Sequence, residues 1–131
     1  MFNKKKQPPI RSLIAEGSQI DGTLRFSDGL RVDGKVIGDV SANSEQSSIL
    51  VISETASVIG EIHADHVIIN GTVKGPVYAR LMLELQPKAH IEGDVYYSAL
   101  EMHQGAIIAG QMRPVDMAEE KPTLKLAANN Q

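Results

Sequence analysis

Four histidines, His63, His66, His90 and His103, are the side chains of this sequence best suited to chemistry. Three imidazoles around one zinc, with water in the open position, would make a hydration or hydrolysis centre. That use requires the rings to converge. In the local alternation Ile62 and Ala64 point inward, so His63 points outward. Ala89 and Ile91 do the same for His90, and Met102 for His103. His63 and His66 fall in one corner region, but two imidazoles lacking a third ligand or carboxylate support rarely hold a metal. The carboxylates Glu61, Glu92 and Asp94 stand at outward phases and read as solvated surface. There is no cysteine, no nucleophile elbow and no glycine-rich phosphate loop with its Lys and Ser/Thr. The expectation is therefore no catalytic residue, no metal, no cofactor and no nucleotide.

The elements that carry these side chains announce themselves by repetition. One phrase runs apolar-x-apolar-x-x-x-Ala-x-apolar-x-Gly-x-apolar. It fits Leu50 to Ile62, Leu83 to Val95 and Leu100 to Met112. A weaker copy begins at Ile14, with Ser18 in the Ala slot and Ile20, Gly22 and Leu24 after it. A second phrase, apolar-x-apolar-Asp/Asn-Gly-x-Val-x-Gly-x-Val-x-Ala, fits Leu30 to Ala42 and recurs as Val67 to Ala79. Interleaved, the two give about six units of roughly 15–20 residues, a period that signals stacked repeats.

Inside each unit the period is two, which means strand. The strands are short, with Gly, Asn, Asp or Pro between them, and residues 12–112 show no helical period. Gly34 and Gly71 follow Asp33 and Asn70, a pairing suited to a turn that needs positive φ. Three short strands per unit, stacked unit on unit, build an all-β, single-stranded parallel β-helix of about six short triangular turns. Val58, Ile91 and Ile108 would occupy equivalent inward slots. Aromatics are 4% of the chain against 42% apolar residues overall, so the bore must be filled by aliphatics and Ala. The insert Asn43–Ser48 reads as a surface loop over one corner.

The domain plan is residues 1–12 as a basic tail, 13–112 as the β-helix, and 113–131 as a disordered C-terminal tail. Net charge is −3, unevenly spread. Residues 1–11 carry four basic and no acidic side chains; residues 12–112 carry 6 basic and 13 acidic. An acidic body excludes nucleic acid as a partner, since phosphate needs a basic face. The leading tail alone suits an anionic surface. Phe2 can enter the interfacial layer, and Lys4, Lys5 and Lys6 add about 1 kcal/mol each beside anionic lipid. Phe2 is not the glycine that myristoylation requires. No run of about 18 apolar residues exists to span a bilayer, and the N-terminus has no apolar segment of a secretory signal. A cytoplasmic location is the default expectation.

A β-helix leaves unpaired backbone at both ends, a template for another strand. The first turn offers Leu13, Ile14, Ile20, Leu24 and Phe26 to such a contact, and the last offers Leu100, Met102, Ile107, Ile108 and Met112. Like ends meeting make isologous contacts, whose alternation gives a filament without polarity.

The phrases DGKVIGDVSA, NGTVKGPVYA and AHIEGDV, with the opening MFNKKK, together resemble the bactofilins. The resemblance covers about residues 14–112 and the leading tail. It implies a right-handed β-helix and a bacterial cytoskeletal scaffold. Members polymerise end to end without nucleotide into non-polar filaments and bind the cytoplasmic face of the inner membrane, here through Met1, Phe2, Lys4, Lys5 and Lys6. They position cell-wall synthesis or hydrolysis proteins and so affect cell shape. The family tends to place an aromatic residue in the last turn at the polymer contact; this sequence has Ile107, Ile108 and Met112 there. The rival reading is a hexapeptide-like β-helix enzyme, an acyltransferase or a zinc carbonic anhydrase. It lacks a strict six-residue frame, because glycine spacings of 11, 15 and 18 intrude.

Overall fold

The computed structural model describes residues 8–43 and 47–115. They form a parallel β-solenoid of six rungs, each with three short strands, and no helix. Face one holds β1 (Ile10–Ile14), β4 (Gly29–Val32) and β7 (Ile49–Ile52), then the second halves of β9 (Ile62–Ile69), β11 (Val77–Leu85) and β13 (Val95–Met102). Face two stacks β2 (Gln19–Asp21), β5 (Lys35–Ile37), β8 (Ser57–Ile59), β10 (Thr72–Lys74), β12 (His90–Glu92) and β14 (Ile107–Ala109). Face three stacks β3 (Leu24–Phe26), β6 (Val40–Ala42), the first halves of β9, β11 and β13, and β15 (Met112–Pro114). In the last rungs one strand therefore turns the corner from face three into face one. The register skips there, between Ala79 and Met82.

Period two places one column of side chains in the bore on each face. Face two gives Ile20, Val36, Val58, Val73, Ile91 and Ile108 in one ladder. Val58, Ile91 and Ile108 thus share a column, with Val73 between the first two. Face three gives Leu24, Val40, Ile62, Val77, Val95 and Met112. Face one gives two columns, one of them Val32, Ile52, Ile69, Leu85 and Met102. The middle members of all these columns are fully buried. Each such Val, Ile or Leu contributes about 1.5–3 kcal/mol of transfer free energy. Phe26 is the one aromatic ring in the buried core of the described residues. Aliphatics and Ala fill the rest.

The two sequence phrases differ at the corner between faces one and two. The first phrase makes a four-residue turn there, closed by Ser18, Ala56, Ala89 and Ala106 donating N–H to the carbonyls of Ala15, Ser53, Gln86 and His103. The second phrase cuts the corner with Asp33-Gly34 and Asn70-Gly71. These glycines do not have positive φ, contrary to the turn expected from the dipeptides. They are glycines because the backbone of the preceding rung presses on them. A Cβ on Gly34 would land on the Ala15 and Ser18 carbonyl oxygens, and one on Gly71 on that of Ser53.

The corner between faces two and three is a column of glycines, Gly22, Gly38, Gly60, Gly75, Gly93 and Gly110. Gly60 has φ 150°, and a Cβ there would strike the Gly38 carbonyl oxygen. Gly60→Ala therefore meets both a dihedral cost of about 1–3 kcal/mol and a backbone clash that no side-chain movement relieves. The expected outcome is a loss of several degrees or more in the thermal midpoint followed by circular dichroism. A midpoint unchanged from the parent would contradict the corner packing.

Candidate assembly surfaces

The two ends of the rod are where the columns stop. β1, β2 and β3 each pair on one side only, as do β14, β15 and the second half of β13. Among the described residues nothing covers these edges, so unpaired backbone meets apolar ladder ends. In the face-two column the four middle residues are fully buried, while Ile20 and Ile108 are half-buried. Leu24 is half-buried and its opposite terminus Met112 is 42% exposed; Ile14 is half-buried, and Met102 is 43% exposed. Of the seven exposed large apolar side chains among the described residues, Ile10, Leu13, Met102, Ile107 and Met112 belong to the first or last rung.

The expected end residues divide by orientation. Ile14, Ile20 and Leu24 at one end, and Leu100, Met102, Ile108 and Met112 at the other, are inward positions opened by the absence of a next rung. Leu13 and Ile107 project outward from faces one and two, in register with Arg31 and His90. Phe26 is buried, 8% exposed, above Ala42. The rod continues past residue 112, since β15 includes Arg113 and Pro114 and the Val115 N–H donates to the Tyr97 carbonyl at 2.6 Å. Met1, Phe2, Lys4, Lys5 and Lys6 lie outside the described residues.

The histidines do not converge. His63 sits on face three, His66 on face one, His90 on face two, and His103 at the start of the last turn. The His63 ring lies 3.0 Å from Glu61 through Nε2. At His103, Nε2 is 3.1 Å from Glu101 and 3.4 Å from Glu84, though neither approach is aligned as a hydrogen bond. These three groups could share a cation, but Glu101 is exposed and such surface carboxylates are common without one.

Two features of the outer surface escaped the sequence reading. The first is a stack on face three. His63 and Tyr78 lie parallel with centroids 4.4 Å apart, Tyr78 and Tyr96 at 4.6 Å, and the Arg113 guanidinium stands 5.8 Å from the Tyr96 ring. Desolvation first, then Tyr96 and the carboxylates Glu61 and Asp94, hold the Tyr78 phenol above its usual range. The signal lay in the triplets Ile62-His63-Ala64, Val77-Tyr78-Ala79 and Val95-Tyr96-Tyr97, which occupy one slot in successive rungs. The second is a clamp on the insert. Asp65 is buried, accepts from the Ser48 N–H at 3.2 Å and from Arg80 Nε at 2.8 Å, while its own N–H donates to Ser48 Oγ at 2.9 Å.

A family model for bactofilins, described as polymer-forming cytoskeletal, matches residues 12–113. The chain belongs to the bactofilin family. Searches of curated proteins and of solved structures return no match. This bactofilin is accordingly a polymer-forming cytoskeletal protein, and its open rungs are the surfaces on which polymerisation has to be sought.

One polar device ties neighbouring rungs together. Asp94 accepts from the Gln111 N–H of the next rung at 2.9 Å and pairs with Arg113 at 3.3 Å; Asp39 accepts likewise from the Glu61 N–H at 2.9 Å. The backbone hydrogen bond, and secondarily Arg113, hold the Asp94 carboxyl below its ordinary value of 3.8. A carboxyl lowered by folding stabilises above its unfolded value, and that contribution disappears as pH falls through the lower folded value. Asp94→Asn should thus lower the thermal midpoint at pH 7, and the gap to the parent should close as pH falls below the ordinary carboxyl value of 3.8 and through the lower folded value. A gap independent of pH would show that the charge is irrelevant.

Proposed function

We propose that this bactofilin assembles end to end, through its first and last rungs, into filaments that need no nucleotide and have no polarity. The observation that carries the reading is the state of the columns: buried through four middle rungs and opened at both ends. Another copy would continue the burial and pair the free strand edges. Both ends are apolar, so each is suited to meet its own kind across a twofold axis, and alternation of the two contacts gives a non-polar filament.

The leading segment, Met1, Phe2, Lys4, Lys5 and Lys6, attaches the filament to the cytoplasmic face of the inner membrane in this proposal. One tail binds weakly; many copies in a row bind firmly, because each further contact is intramolecular. The attached filament positions proteins of cell-wall synthesis or hydrolysis and so influences cell shape. Support for this part comes from tail charge and family membership. A three-histidine zinc centre, which the carbonic-anhydrase form of the enzyme alternative requires, is not assembled among the described residues.

Purified protein in chelator, without nucleotide, should show filaments by negative-stain microscopy. Met102→Glu and Leu13→Arg replace exposed terminal-rung side chains, so both variants should keep the parental circular dichroism and give only short oligomers. Filaments of parental length in both would sink the end-to-end assignment. Separately, deletion of residues 2–6 should abolish sedimentation with anionic liposomes while filaments persist; continued sedimentation would remove the tail from the mechanism.

A further inference from the structure

A groove of about 320 Å3 runs along the corner between faces three and one. Buried Ala64 and Ala79 form its floor. Tyr78 and Tyr96 stand along one side and Arg80 on the other, as the strand alternation requires. The chain has three tyrosines, and all three, Tyr97 included, line this groove. An apolar slot rimmed by polar groups marks a site for another apolar surface.

The chain itself supplies the candidate occupant. Val115 is the last described residue, it lines the groove, and its hydrogen bond to Tyr97 fixes it at the groove's end. Residues 116–131 follow Val115 in the chain. They include Pro122-Thr123-Leu124-Lys125-Leu126-Ala127, where alternation sets Leu124 and Leu126 on one side of an extended chain. The groove's lining runs over five rungs, from Ala42 to Val115, roughly 19 Å at the spacing of hydrogen-bonded strands. Leu124 is nine positions after Val115, enough to reach about 30 Å. A segment tethered so close meets its site at about millimolar effective concentration.

We propose that the segment Thr123–Ala127 of the same chain lies in this groove, with Leu124 and Leu126 seated over Ala64 and Ala79 beside the tyrosines. The segment then acts as a strap on the flank of the rod. It covers the tyrosine face and leaves both ends free. It also makes access of any other apolar peptide to that face a competition with the chain's own tail.

Because every tyrosine lines the groove and the chain has no Trp, tyrosine fluorescence reports on it alone. In the full chain, Leu124→Glu with Leu126→Glu should raise acrylamide quenching of that fluorescence about twofold, as expected when buried rings become accessible. Unchanged quenching overturns the proposal. The second measurement replaces Lys125 by the photoreactive benzoylphenylalanine and irradiates the full chain. The expected product runs as a monomer on a denaturing gel, with the cross-link mapped by mass spectrometry to the segments around Ala64, Ala79 or Tyr96. Dimer-sized product, which would mean a second copy's tail, or cross-links elsewhere on the rod, overturn it equally.

Discussion

The rungs stack at the distance that backbone hydrogen bonds set, about 4.8 Å, and at one corner that distance leaves no room for a Cβ. The glycine column from Gly38 to Gly110 is the result. Gly38, Gly60 and Gly75 each rest on the carbonyl of the glycine one rung before. Once this corner is pinned, the parity of every neighbouring residue is pinned too. Val36, Val58, Val73 and Ile91 must face the bore, and Lys35, Ser57, Thr72 and His90 must face outward. A one-residue slip would exchange the two sets and expose the whole column.

Such a rod has no internal reason to stop. Each rung is stabilised by the one on either side, as in other solenoids, so the first and last rungs are the least satisfied parts of the molecule. Ile20, Ile108, Met102 and Met112 are ordinary core residues left at the end of their columns. The proposed end-to-end assembly would draw on the same interaction that folds the rod. The flanks are treated differently. Ion pairs such as Arg31 with Asp33 and Lys88 with Glu54 keep them polar, and the acidic excess of residues 12–112 makes flanks repel. The tyrosine-lined corner is one apolar exception, the stacked Ile37 and Ile59 on face two another, and Val115 lies at the tyrosine corner.

Much of this architecture was legible in the sequence because its grammar is local. Alternation, the corner glycines and the two interleaved phrases identified strands, inward positions and six units. The outward phases of His63 and His90 followed from the same parity. Two readings of detail needed the stacked backbone. Gly34 and Gly71 looked like positive-φ turn residues and are instead sites of close backbone approach. Phe26 looked like an end residue and is buried.

Sequence by itself determined what repeats within a rung: strand period, bore composition, corner residues and the count of turns. Only the tertiary structure decided what meets between rungs on the outside. Rungs differ in length, so vertical neighbours are separated by changing intervals: His63 from Tyr78, Tyr78 from Tyr96, Ser48 from Asp65, Glu84 from Glu101. Inward residues tolerate that irregularity because any aliphatic suits any other. Outward pairs do not, since a stack or a carboxylate–amide bond exists only when two particular side chains share a column, and the column is known only once the backbone has been wound.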